Sequence, residues 1–242
     1  MFFPLRNWTK IEPQAVQGVF REAFIQWGLP LYMRFDNGKP WGHPGSAVPT
    51  ALALWLVGLG IRPLFGRPRQ STDNAVVERC HGVLNGWVEP QTCSHLAELA
   101  QRLHYFATLQ REHYPFSEHA SRLVCFPDLL LNSRSYQTEP EKIIWNLETV
   151  LEYVATYSFT RTVEKNGRIT LMTHEYSLGR KYRAQRVTAR LDPQQKCWCI
   201  KDRFGDLIAT FPASQLDYLI IEPLLLTSKH FKAKLDDASH EV

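Results

Sequence analysis

The sequence predicts a mixed α/β chain that ends in a small all-β module, and three observations carry that prediction. First, Leu31, Met33 and Phe35 alternate with Tyr32 and Arg34 in a β-prone run, which Asp36-Asn37-Gly38 stops with turn chemistry. Second, helical patterns flank that run. Val16, Phe20, Ala23, Phe24 and Trp27 precede it at three- and four-residue steps, and an apolar stretch from Ala47 to Leu59 follows it. Third, the pattern changes from Tyr157 onward to short alternating runs divided by Asn-Gly, Leu-Gly, Asp-Pro and Phe-Gly-Asp breakers, which is a meander of about five strands.

Taken in order, Phe2, Phe3, Leu5, Trp8 and Ile11 read as the remnant of an edge strand. Pro13 opens the first helix at a tolerated first-turn position, and Gly28 and Pro30 end it. The Ala47–Leu59 helix is hydrophobic nearly all round and is expected to be buried, with Gly60 ending it and Ile61–Leu64 forming a short strand. Asp73–Trp87 is a further helix, capped by Thr72 or Asp73, with Val76, Val77, Leu84 and Trp87 as its buried face. Ser94 caps a long helix to about His113, striped by Leu96, Leu99, Leu103, Phe106 and Leu109. Residues 116–156 read as a helical linker that includes a helix from Lys142 to Val154. Residues 157–216 are the β-module, whose size of roughly 60 residues suits a small barrel, with Asn166-Gly167 as a hairpin turn. Residues 217–242 read as a tail with a polar end.

Composition bounds the function. At 242 residues, 44% hydrophobic and 21% charged, the chain is an ordinary globular one or two domains. No apolar run approaches the ~18–20 residues of a membrane span, so no membrane partner is expected. The N-terminal MFFPLRNW lacks a small-residue cleavage site and makes a poor signal peptide. A net charge of +4 leans toward polyanionic partners. The five cysteines read as reduced thiols of a cytoplasmic protein. Cys197 and Cys199 fall on one face of a strand, without the companion ligands that zinc needs.

The residues that carry chemistry fall in two groups. Asp36 sits at the carboxyl end of its strand, where open α/β sheets place ligands. Glu78 falls in the first two turns of its helix. Two such carboxylates can hold a divalent cation that activates water or a hydroxyl for attack on phosphate. Asp73, five positions before Glu78, lies about 140° around the helix from it and is a cap, not a partner. Lys39 stands in a Pro/Gly-rich loop that is either DNA-facing or a plain surface turn, and Arg67, Arg69 and Arg79 join it as candidate phosphate contacts. In the β-module Arg161, Lys165, Arg168, Arg180, Lys181, Arg183, Arg186 and Arg190 face only Glu164 and Glu175 as acids. A polyphosphate backbone is the natural partner for that excess.

The run RFDNGKPW, followed by GI and then RPRQSTDNAVVER, resembles the catalytic core of insertion-sequence transposases and retroviral-type integrases, over roughly Trp8 to Pro115. The resemblance implies a ribonuclease H-like fold with an Asp, Asp, Glu triad holding two Mg²⁺ ions for phosphodiester cleavage and strand transfer. Asp36 matches the second aspartate and Glu78 the glutamate, with Asn37 and Gly38 completing the D-N-G turn. Asn74 matches the asparagine four residues before the glutamate; Ala75 stands where glycine commonly follows it. The run NGRITLMTHEYSLGRKYRAQRVTARLD is similar to the C-terminal barrel of phage Mu-type transposases, which adds Arg180, Lys181, Arg183 and Arg186 as DNA contacts. The family's first aspartate has no counterpart: none of the residues before Asp36 is Asp, and Glu12 and Glu22 fall in a helical pattern. The expectation is therefore a ribonuclease H-like domain over 1–115 lacking its first strands, a linker over 116–156, a basic barrel over 157–216 and a tail. The expected partners are DNA (transposon ends and target) and a homo-oligomer or a full-length transposase, and the expected location is the nucleoid. Strand transfer is expected to be lost with the bridging aspartate. The alternative is a non-catalytic, DNA-binding or regulatory fragment of a transposase.

Overall fold

The computed structural model describes residues 12–36, 41, 48–66, 75–117, 120–130 and 134–224. The chain is mixed α/β, and it divides into two compact units. One holds the described residues up to Pro30 together with Gly66–Thr138, and the other holds Leu31–Phe65 with the described residues from Glu139 on.

The first unit is largely helical. Helix α1 (Pro13–Trp27) starts at Pro13 and buries Val16, Phe20, Ala23 and Phe24, the stripe the sequence sets out. It stops at Gly28, whose φ of 74° is open to glycine at no steric cost and whose N–H donates to Phe24 O. Tyr136 packs edge-on to Phe24, and the Arg111 guanidinium lies over the Trp27 ring. Helices α3 (Ala75–Val88) and α4 (Leu96–Glu112) pack on each other, with Cys80 Sγ donating to Gln110 Oε1 and Trp87 against Phe106. Leu84 and Val88 are buried there, and Trp87 is half-buried against Phe106 and Tyr114. Two expectations are corrected here. Val76 and Val77 are 83% and 52% exposed, because the apolar stripe of α3 continues past the residues it packs against. The cap of α4 is His95 and not Ser94: His95 Nδ1 accepts from Glu98 N, while Ser94 N donates to Glu98 Oε2. The remaining elements of this unit are short: strands β3 (Pro115–Ser117) and β4 (Ala120–Ser121) and helix α5 (Arg122–Cys125).

The second unit opens with strand β1 (Tyr32–Phe35), helix α2 (Ala51–Gly58) and strand β2 (Arg62–Phe65). The strands pair in parallel, with Tyr32 opposite Arg62 and Phe35 opposite Phe65, so the three elements form a strand–helix–strand crossover. Helix α2 is buried from Leu52 to Gly58, as its composition requires. It begins at Ala51 rather than Ala47, because the Thr50 hydroxyl caps it by accepting from the Ala53 amide. The expected helix from Lys142 to Val154 is two helices, α6 (Glu141–Ile144) and α7 (Leu147–Ala155). Asn146 separates them: its Oδ1 caps the Glu148 and Thr149 amides, and its N–H donates to Gly58 O. A last short helix, α8 (Tyr218–Ile221), follows the β-module.

The β-module has six strands: β5 (Phe159–Thr162), β6 (Arg168–Leu171), β7 (His174–Ser177), β8 (Arg186–Asp192), β9 (Cys197–Lys201) and β10 (Leu207–Pro212). Four form an antiparallel sheet in the order β10-β9-β8-β5, and β6 and β7 form a hairpin. Period-two alternation sends Val187, Ala189 and Leu191 of β8 and Trp198 and Ile200 of β9 inward, with Phe159 edge-on to Trp198. Each of the larger side chains contributes about 1.5–3 kcal/mol by leaving water, and Ala189 less. The hairpin joins the sheet at both sides. Arg161 Nε donates to Thr170 O, and the Tyr176 hydroxyl donates to Pro212 O and to the buried Gln215 Oε1, where burial pushes the Tyr176 hydroxyl up to about 12. The turn at Asn166-Gly167 links β5 to β6. Gly167 has φ 82°, and a Cβ there would lie 2.5 Å from the backbone carbonyl carbon of Gly179.

Two glycines test this packing. A Cβ on Gly58 would overlap the indole of buried Trp145, whereas one on Gly82 of α3 meets nothing within 4 Å. Helix propensity alone favours alanine at both sites by about 1 kcal/mol. Gly58→Ala is expected to lower stability by about 1–3 kcal/mol through overpacking, and Gly82→Ala to hold or raise it. Urea denaturation checks both, and equal shifts would contradict the Trp145 contact.

Candidate nucleic-acid interface

The strands of the β-module alternate in direction, so the β5–β6, β7–β8 and β9–β10 connections all emerge at one end. The backbone ties the first two together. Val163 N donates to Gln185 O, Ala184 N to Val163 O, and Leu178 N and Gly179 N to Gly167 O. The third follows from register: Thr188 stands opposite Lys201, so the start of β8 and the end of β9 share that end.

Basic residues collect there. The β5–β6 turn carries Lys165, and Arg168 opens β6. A single 3-10 turn between β7 and β8, Arg180–Tyr182, presents Arg180 and Lys181, and Arg183 and Arg186 follow before the buried Val187. The β9–β10 loop adds Arg203. Lys165, Arg180, Lys181, Arg183, Arg186 and Arg203 are exposed, and none has an acidic partner among the described residues. Arg168 pairs with Glu175 at 2.9 Å. Arg161 is half-buried and spends its guanidinium on the Thr160 and Thr170 carbonyls, so it adds no free charge. Against these stand Glu164, Asp202 and Asp206. The turns at the opposite end, Met172-Thr173 and Pro193–Lys196, carry one charge, Lys196.

The β9–β10 loop is built rather than slack. Asp202 Oδ1 accepts from Phe204 N at 2.8 Å and from Asp206 N at 3.0 Å, and Asp202 N donates to Asp206 O. Gly205 completes the turn with φ 94°, a region that suits glycine. The loop holds Phe204 out at 74% exposure with the Arg203 guanidinium over its ring, 4.6 Å from the centroid. Sequence reasoning takes Phe-Gly-Asp as a breaker only and leaves out Arg203 and Phe204. An aromatic residue inside an Asp-bracketed hairpin turn is the available signal, since turns seldom need one.

The remaining sequence-predicted residues divide as follows. Asp36 directly follows β1, at the carboxyl end of a parallel strand, and is exposed. Glu78 is in the first turn of α3, with Arg79 beside it, both exposed. Asp36 belongs to one compact unit and Glu78 to the other. Asn37, Gly38, Lys39, Arg67, Arg69 and Asn74 lie outside the described residues, as do the proposed Thr72 or Asp73 cap and the segments 1–11 and 225–242. No group of three or more His, Cys, Asp or Glu among the described residues could hold a metal ion. Cys197 and Cys199 share the outer face of β9, where burial, helped by the neighbouring Cys199, pushes the Cys197 thiol up and keeps it protonated. All five cysteines are free thiols. No helix among the described residues is long and apolar enough to cross a membrane. No protein-family model matches the chain.

Asp202→Ala removes the acceptor for two loop amides. Hydrogen exchange at Phe204 and Asp206 is expected to speed up by about tenfold or more, with the β8–β9 ladder amides unchanged. Unchanged protection at those two amides would show that the loop does not depend on Asp202.

Proposed function

We propose that this protein binds DNA through the basic end of its β-module, as a relative of the transposase and integrase class that does not itself carry out strand transfer. The observation that carries the proposal is the convergence of three loops whose cations lack acidic partners. Cations held at one end of a rigid module offer a site for phosphates and for the release of their counterions. The contacts that link β5 to β6 and β7 to β10 complete a circuit of six strands, which supports a small barrel. The parallel β1–α2–β2 crossover, with Asp36 following β1, supports a ribonuclease H-like reading of that segment. In that class, cleavage and strand transfer use two Mg²⁺ ions shared by three carboxylates. Among the described residues no group of three or more His, Cys, Asp or Glu could hold a metal ion, and the proposal is binding without chemistry.

A regulatory role follows from the same features. A chain that binds DNA ends without joining them competes with, or assembles onto, a full-length transposase. The proposal prefers DNA to an acidic protein because backbone phosphates are evenly spaced and need no shape match to a rim of arginines.

Two measurements test this. In fluorescence anisotropy with a labelled duplex, affinity is expected to fall steeply and linearly with salt on logarithmic axes. Arg183→Ala with Arg186→Ala is expected to weaken binding by about tenfold and to lower the slope by about two, one for each phosphate left without its arginine. Salt-independent binding, or no binding, would overturn the proposal. In a plasmid cleavage and strand-transfer assay with Mg²⁺ or Mn²⁺, no product is expected; robust activity that Asp36→Ala abolishes would overturn the non-catalytic part.

A further inference from the structure

Phosphate contacts account for the cations of the basic end but not for Phe204. An exposed phenylalanine forgoes about 1.5–3 kcal/mol of burial, and this one is 74% exposed. It is also held out by its own loop. Asp202 fixes the amides on either side of the Phe204-Gly205 pair, and Gly205 takes a backbone conformation that other residues adopt only under strain. The Arg203 guanidinium lies over the ring and backs it with a planar cation. An apolar ring on a rigid tip, surrounded by unpaired cations, fits a ligand that joins a flat π-face to an anionic backbone.

We propose that Phe204, backed by Arg203, is a stacking platform for an unpaired nucleobase. The occupant is a base exposed at a single-stranded end, a flap or a bulge. Its flanking phosphates then reach Lys201 on β9 and the arginines of the neighbouring loops. In a fully paired duplex each base is stacked on its neighbours, and the ring finds no face to meet. The site therefore distinguishes DNA with unpaired bases from continuous duplex, without reading sequence. This inference rests on the DNA-binding proposal above, but it turns on a side chain that carries no charge.

The test uses the full chain and three labelled DNAs of equal length: single-stranded, duplex with a central bulge, and continuous duplex. A 2-aminopurine replaces the unpaired base. Wild-type protein is expected to bind the single strand and the bulge about tenfold more tightly than the duplex and to quench the 2-aminopurine fluorescence. Phe204→Ala is expected to remove that preference and the quenching while leaving duplex affinity within twofold. Phe204→Trp is expected to retain both. Phe204 is exposed, so Phe204→Ala should fold, and circular dichroism confirms it. If Phe204→Ala binds all three DNAs like the wild type, or weakens all three equally, the stacking platform is wrong and DNA binding stands. If the wild type binds none of them, both inferences fall.

Discussion

Gly58 has no side chain, and much of the second unit depends on that. The indole of Trp145 occupies the space a Cβ would need, and Gly58 O accepts the Asn146 amide at the start of α7. Beside this contact Trp55 Nε1 donates to Glu141 Oε1, which also accepts the Tyr218 hydroxyl. Glu141 is 1% exposed. A polar group so deeply buried is tolerated only when donors meet it, because leaving it unmatched costs several kcal/mol or more in an apolar medium. The carboxyl group thus fixes three helices to one another: α2, α6 and α8. Through them the strand–helix–strand crossover and the β-module become one body although about 90 residues separate Phe65 from Phe159 in sequence.

The body so formed sets where charge can go. Strands that alternate in direction have only two ends at which to place connections. Here one end carries two tight turns, and the other carries the three longer connections. Tight turns hold few side chains, so the exposed cations concentrate at the longer connections. Gly167 makes this arrangement close. Without a Cβ it lets the β5–β6 turn touch the Gly179-Arg180 backbone, which brings Lys165 and Arg180 onto one surface. The inward face of β8 and β9 is apolar, so every arginine in β8 must face out. The basic surface is in this sense a product of core patterning as much as of composition.

Much of this is legible in the sequence because it depends on local chemistry. The helix α1 stripe, the burial of α2, the position of Asp36 after β1 and the alternation of β8 and β9 each rest on a few consecutive residues. The pairing of Leu31–Phe65 with the residues after Glu139 is not legible, because Gly58 meeting Trp145 leaves no periodic trace in either segment. The exposure of Val76 and Val77 is hidden for a related reason: an apolar stripe shows which face of a helix is sticky, not how far its partner extends. His95 displaces Ser94 as a cap because a neutral imidazole nitrogen accepts a hydrogen bond as a hydroxyl does. The turn between β6 and β7 has no signal at all. It uses Met172 and Thr173 at φ 47° and 73°, where turn chemistry expects Asn or Gly. The surrounding packing of buried Met172 and Leu171 holds them there against about 1–3 kcal/mol of strain each.

In the proposed binding mode, charge and stacking do different work at the basic end. The field of several arginines reaches about 10 Å at 0.1 M salt and draws in any polyanion regardless of sequence or strandedness. On the DNA-binding proposal, it would bring DNA to the module without deciding which DNA stays. A ring in van der Waals contact with a base acts only over the last few ångströms and is little screened by salt. The two contributions therefore separate as ionic strength rises: attraction to duplex fades while contact with an unpaired base persists. A module with cations alone would lose its discrimination and its affinity together. One with a rigid aromatic tip keeps discriminating under the salt conditions in which non-specific binding is weakest. Asp202 matters for that reason, because a ring on a slack loop would have to be ordered at each encounter, and that entropy would offset much of what stacking contributes.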